Sequence, residues 1–218
     1  MYAVYHGPEG LQSIASRVHA LARVLERELT SRGFEQLNRQ YFDTLRIRVA
    51  DGAAIRQRAI ASGINFRYVG ESTIGIALDE TVTPQDVRDI LEVFVGATTS
   101  VPDSVSGDLL EPALRRTTPM LTHPVFNTHR SELAMMRYIR RLERKDIGLD
   151  YSMIPLGSCT MKLNAATEML PITWAHFSRL HPFAPADQAQ GYAQLFTELE
   201  AALCAITGFA AVSLQPNS

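Results

Sequence analysis

The residues best suited to chemistry lie in one run, IPLGSCTMKLN at positions 154–164, where Ser158, Cys159, Thr160 and Lys162 gather two hydroxyls, a thiol and an ammonium within five residues. A glycine-broken loop of this composition is not needed to fill a core, and binding groups concentrate on loops held by rigid elements. The competing reading is a turn and helix cap, because Ser and Thr hydroxyls bond local backbone as readily as ligands. A reactive Cys159 needs a neighbouring cation, and Lys162 and His181 are the available neighbours.

Other chemistries lack their signatures. There is no GxGxxG after a strand and no GxxxxGK[ST], so no nucleotide fingerprint is present. No HExxH or paired-cysteine motif offers a metal site, and Cys159 and Cys204 are the only two cysteines. Cys204 falls on the apolar face of a helix and reads as a small buried hydrophobe. Asp79 and Glu80 read as a cap and a solvated helix end. Ser158, Cys159 and His181 suggest a nucleophile and a base, but no third group is in place to orient them. Lys145 and Lys162 are the only lysines among 21 basic residues. Lys145 sits in a charged run with Arg137, Arg140, Arg141 and Arg144 that is most simply a solvated helix face.

Several elements must position these groups. Leu11, Ile14, Val18, Leu21, Leu25 and Leu29 recur at helical spacing between Pro8 and Gly33, which predicts one long amphipathic helix. Residues 44–49 alternate apolar and arginine, the period of a half-buried strand. A helix is expected from 52 to 62, stopped by Gly63, then strands at 65–69 and 73–78 joined by a short bend at Gly70. Thr83, Pro84 and Asp86 open a helix that runs to Gly96. This order describes a small open-faced sandwich, with helices on one face of a mainly antiparallel sheet.

From 97 to 119 the texture turns to Thr, Ser, Pro and Asp, as in an interdomain linker. Beyond it Asn127 or Thr128 can cap a helix with Leu133, Met136, Ile139 and Leu142 on one face. His123, His129 and Arg130 stand at its entry, where helix-entry and anion-binding roles compete evenly. Asn164 caps a short helix broken at Pro171, and Trp174, Phe177 and Leu180 read as packing. A helix follows over 191–207 with Leu195, Leu199, Ala202 and Ile206 inward. Residues 211–214 then begin a strand leading toward a strand-to-helix turn, where helix amides can hold a phosphate.

At 218 residues the chain has room for one or two domains. Its 46% apolar and 20% charged content is ordinary for a globular protein, and a net charge of -2 gives no reason to expect nucleic acid or an anionic membrane. No apolar run is long enough to span a bilayer. With no targeting segment at the start, a cytoplasmic location is expected, or the mitochondrial matrix if the source is eukaryotic.

Five segments carry a resemblance. YAVYHGPEGL (2–11), FNTHRSE (126–132), IPLGSCTMKLN (154–164), LHPFAP (180–185) and LQPNS (214–218) are similar, in order, to the P-protein family of the glycine cleavage system, the pyridoxal-phosphate-dependent glycine dehydrogenases (decarboxylating). The resemblance implies a fragment from the middle of a longer chain, of mixed α/β class. Residues 1–96 would be a small α+β domain ending the amino-terminal half, 97–119 the linker between halves, and 120–218 the start of a fold-type I pyridoxal-phosphate half. It implies an oxidoreductase that decarboxylates glycine and transfers the aminomethyl group to the lipoyl arm of the H-protein, as a homodimer. Ser158, Cys159 and Thr160 would wall the pyridoxal phosphate, and Asn217 and Ser218 would approach its phosphate. Lys162 and His181 would face substrate. The Schiff-base lysine is expected downstream of Ser218, so no catalytic residue is assigned and the fragment alone is expected to be inactive. The residues by themselves also fit a non-catalytic regulatory module that binds an amino acid and carries a helical interaction segment.

Overall fold

The computed structural model describes residues 1–98, 110–146, 153 and 166–215. It divides into two compact units, residues 1–152 and 153–218. The expected loop chemistry at 158–162 and the chain-end pair Asn217 and Ser218 lie outside the described residues.

In the first unit the long helix α1 (Tyr2–Ser31) contains a break at Gly7, and the regular helix resumes at Pro8, a residue well suited to a first helical position. Its apolar stripe buries Val18, Leu21, Ala22, Leu25 and Leu29. It ends where Gly33 takes φ +87 and Phe34 and Gly33 donate back to the carbonyls of Leu29 and Thr30 at 3.1 and 3.0 Å. This reversal satisfies the last carbonyls and needs a residue free of Cβ strain at the left-handed position.

The sheet has four antiparallel strands in the order β1-β2-β4-β3: β1 (Glu35–Gln36), β2 (Thr44–Arg48), β3 (Arg67–Val69) and β4 (Thr73–Ala77). Register pairs Leu45 with Ile76 and Ile47 with Ile74, which sets four apolar side chains on the covered face and leaves Arg46 and Arg48 on the other. The two-residue β1 is too short to show a period-2 pattern and is an addition to the expected strands. Between β2 and β3, α2 (Gly52–Ala61) is capped by Asp51, whose carboxylate accepts from Ala54 N at 2.9 Å. After β4, α3 (Pro84–Val95) opens with a reciprocal cap: Asp86 N donates to Thr83 Oγ1, and Thr83 N donates to the Asp86 carboxylate.

Helices α1, α2 and α3 bury Leu25, Leu29, Ile55, Ala59, Val87, Leu91 and Phe94 against Leu45, Ile47, Ile74 and Ile76. Phe34 and Phe66 meet Phe94 edge-on, at 5.4 and 5.6 Å between ring centres. Two arginines tie helices to distant carbonyls: Arg17 donates to Val82 O at 2.8 Å and to Glu80 O, and Arg58 donates to Val93 O at 2.7 Å, at the end of α3. The open-faced sandwich expected from the order of elements is the observed mixed α/β fold of this unit.

The same unit takes in residues 110–146. Here α4 (Val125–Thr128) precedes α5 (Glu132–Glu143), and the cap of α5 is Ser131, whose hydroxyl accepts from Ala134 N, rather than Asn127 or Thr128. Asn127 is engaged elsewhere, donating to Leu121 O and His123 O at 3.0 and 3.2 Å. The buried residue of α5 is Met135, so Leu133, Met136 and Ile139 form an uncovered stripe, 58%, 61% and 44% exposed.

The second unit is helical among its described residues: α6 (Ala166–Met169), α7 (Ala175–Ser178) and the longer α8 (Gln190–Thr207), with single 3-10 turns at Leu170–Thr173 and Ala186–Gln188. α8 stops at Gly208 as expected, but it buries none of its residues. Leu195, Leu199 and Ile206 are exposed rather than inward, and Cys204 is half-buried. Trp174, Phe177 and Leu180 are likewise exposed. Residues 211–214 form no strand, since no partner strand lies beside them among the described residues.

Two expectations follow. Leu25 is fully buried, so Leu25→Ala should cost about 2–5 kcal/mol in urea unfolding at neutral pH. Glu28 is held below the usual carboxylate range by hydrogen bonding from Arg32 at 2.7 Å, and Asp79 by hydrogen bonds from Thr81 Oγ1 at 2.7 Å and Thr81 N at 2.8 Å. Both bind protons more weakly folded than unfolded. Their contribution is therefore present above the unfolded value and lost as pH falls through the folded one. Urea midpoints measured from pH 6 to pH 2 should fall less steeply in a Glu28→Gln, Asp79→Asn double variant than in the parent.

Candidate functional site

Two of the segments that carry the resemblance meet in the first unit. α4 packs on the start of α1, and Arg130, from FNTHRSE, reaches Glu9 of YAVYHGPEGL across 121 positions of chain. The second half of its fork donates to Asn127 Oδ1 at 2.9 Å. The contact depends on Gly7: at φ +65, a Cβ built there would lie 2.6 Å from the Arg130 guanidinium. Beside it Tyr2 and Tyr5 pack on His6 at 4.3 and 5.3 Å. His129 stacks on Tyr138 at 4.2 Å, with Arg141 5.3 Å above the same ring. His123 Nδ1 accepts from Val125 N at 3.1 Å, a helix-entry role.

Neither arginine nor aromatic periodicity in the sequence announces this meeting. Arg130 is legible as an anion-seeking group, but its partner is not, because nothing local links positions 9 and 130. Elsewhere in the unit His19, 3% exposed, lies with Nδ1 2.6 Å from Phe42 O and stacks on the Phe42 ring at 5.5 Å. Tyr41 donates to Glu26 Oε2 at 2.6 Å, and burial first, then the Glu26 hydrogen bond and charge, push its hydroxyl far above the usual range. These are packed, satisfied groups of the scaffold.

In the second unit α7 and α8 enclose a cleft of about 400 Å3, lined by His176, Phe177, Leu180, Tyr192, Leu195 and Glu198 among others. Tyr192 donates to Phe177 O at 2.7 Å and meets its ring edge-on at 5.9 Å. Gln194 donates to Glu198 Oε1 at 2.7 Å on the α8 side. His181 does not line this cleft. It closes the turn of the LHPFAP segment, where Nδ1 accepts from Phe183 N at 3.0 Å and its carbonyl from Ala184 N at 2.9 Å. Among the described residues no cluster of three or more His, Cys, Asp or Glu could hold a metal ion, and no helix is long and apolar enough to cross a membrane.

Sequence comparison relates both units to known proteins. Residues 1–94 match the family model described as glycine cleavage system P-protein. Over its whole length the chain is 52% identical to a glycine dehydrogenase (decarboxylating) of Gluconobacter oxydans, 54% to that of Xanthomonas axonopodis pv. citri and 53% to that of Deinococcus radiodurans. The chain is thus similar to the glycine cleavage system P-protein family over residues 1–94, and along its whole length to part of these relatives. It spans 22–23% of the length of these curated relatives.

The cleft supplies its own test. Trp174, the only tryptophan, stands 6.0 Å from Phe177, which Tyr192 braces. Tyr192→Ala should shift Trp174 emission to longer wavelength, whereas Tyr192→Phe, which keeps the ring, should leave it near the parent value.

Proposed function

We propose that this chain is part of a glycine-decarboxylating oxidoreductase of the glycine cleavage system, which removes carbon dioxide from glycine and passes the aminomethyl group to the lipoyl arm of the H-protein. The observation that carries the reading is identity above 50% along all 218 residues to several proteins named glycine dehydrogenase (decarboxylating). A single helix or sandwich could be shared by unrelated functions. Agreement through both units and the segments between them is far harder to reconcile with an unrelated activity. A homodimer in the cytoplasm, or in the mitochondrial matrix of a eukaryote, belongs to the same reading.

The cofactor that goes with this activity is pyridoxal phosphate. The described residues do not fit it. Lys145 is the only lysine among them, and it sits exposed beyond the end of α5 beside Arg144, not in the desolvated site that a lysine nucleophile needs. Ser158, Cys159, Thr160 and Lys162, with Asn217 and Ser218, remain the proposed cofactor and substrate contacts, and His181 a proposed substrate-side group. In this reading the first unit is scaffold, built on the core that its sheet shares with three helices, and no chemistry is assigned to it.

The test uses the complete polypeptide that contains this sequence. Supplied with pyridoxal phosphate and lipoylated H-protein, it should release carbon dioxide from carboxyl-labelled glycine. Cys159→Ala or Thr160→Ala should lower that rate at least tenfold without changing far-ultraviolet circular dichroism. Saturable glycine binding with no carbon dioxide released under the same conditions would sink the proposal in favour of an amino-acid-binding module.

A further inference from the structure

The face of the sheet turned away from the helices carries two unpaired guanidiniums. Register sets Arg46 of β2 and Arg67 of β3 on either side of Gly75 of β4, all three on the open face. Both arginines are exposed, and among the described residues neither guanidinium has an ion pair, whereas Arg48, further along the same face, is held by Glu35 at 3.1 Å. Gly75 lies inside a central strand, where a glycine weakens the strand and marks a bulge, a bend or the close approach of a ligand or another chain. Here β4 pairs in unbroken register on both sides, so no bulge accounts for it. The backbone does not require it either. Gly75 is not among the glycines at positive φ, and the atoms nearest to a Cβ built on it are Arg67 Cβ, O and Cδ at 3.5, 3.6 and 3.8 Å, an ordinary contact. Close approach is the explanation left.

We propose that Arg46 and Arg67 clasp one dianionic phosphate group over Gly75. Their α-carbons stand two strand spacings apart, about 9.6 Å, so two arginine side chains leaning inward reach a single oxyanion from opposite sides. The Arg67 stem already leans that way, with Cδ 3.8 Å from the place a Gly75 Cβ would take. Guanidinium forks bind phosphate and carboxylate oxygens through parallel pairs of hydrogen bonds. Two positive charges are balanced by inorganic phosphate or a phosphate monoester, and only half balanced by a lone carboxylate. A nucleic-acid strand suits the face less well, because base stacking needs exposed rings and the aromatics beside Arg67, Phe66 and Tyr68, pack against the core. On the same face of β4 the neighbours of Gly75 are Thr73 and Ala77. Both are small, which leaves room along the strand for the body of a phosphate ester. The proposal rests on the sheet of the first unit and is independent of the enzymatic reading.

Phenylglyoxal modification of arginines, mapped by peptide mass spectrometry on the complete polypeptide that contains this sequence, tests it. At constant ionic strength inorganic phosphate should slow the modification of Arg46 and Arg67 at least fivefold, with one half-protecting concentration for both, and leave the exposed Arg32 and Arg144 at their unprotected rates. Because one anion is shared, Arg46→Gln should remove the protection of Arg67, and Arg67→Gln that of Arg46. Gly75→Ala, which introduces no backbone strain, should raise the half-protecting concentration at least threefold. Glycerol phosphate protecting better than phosphate would assign the seat to an ester, and the reverse order to free phosphate; either upholds it. Unchanged protection of Arg67 in Arg46→Gln, or equal protection by acetate or chloride, would overturn it. So would a failure of both arginines to react at all in the complete polypeptide, since the face would then be covered.

Discussion

The contact on which the first unit depends is the seating of the α1 stripe on the two central strands. Leu25 and Leu29 from the helix and Leu45, Ile47 and Ile74 from β2 and β4 are all buried to 1% exposure or less. The five residues come from three elements separated by up to 50 positions, so the helix cannot bury its face until both strands are paired in register. A slip of one residue between β2 and β4 would turn Arg46 and Arg48 inward and the two apolar residues outward. The caps, the glycine stops and the ties from Arg17 and Arg58 trim the ends of elements that this packing has already placed.

Against that core the second half of the described chain behaves differently. α5 buries one residue and α8 none, although both carry apolar stripes as regular as that of α1. Amphipathic periodicity states that a face is to be covered, not what covers it. A chain that spans less than a quarter of its relatives' length keeps the periodicity of the whole protein in a piece of it. The packing of the sheet with α1, α2 and α3 can therefore be explained from its own contacts, while the stripes on α5 and α8 cannot.

The same distinction governs how much could be read from the sequence. Residues whose meaning is local were legible: Pro8 at a helix start, Gly33 and Gly63 as stops, Thr83 as a cap with Asp86 in the first turn, and the alternation of arginine with apolar residues in β2. Their physics is complete within four or five residues of chain. The two-residue β1 was illegible because its existence depends on the edge of β2, and Ser131 displaced Asn127 as a cap because Asn127 is claimed by two carbonyls upstream. The pairing of Arg130 with Glu9 is set by the docking of α4 on α1, a property of the folded chain alone. Of the candidate site, the polar residues around Cys159 are legible as chemistry but not as geometry, and His181 serves the turn in which it sits.

The sheet's borders have a consequence for how this chain fails when it does. One border is the two-residue β1 with Glu35 on it, and the other the three-residue β3, where Arg67 begins the strand and Arg56 lies 5.0 Å over the Tyr68 ring. An incoming foreign strand would find a template only two or three residues long, with charge at either margin. Stacking into a fibril demands a longer, flatter and less charged ribbon of free amides and carbonyls. Copies of this chain that stick together would meet through the exposed apolar stripes of α5 and α8 rather than through the borders of the sheet.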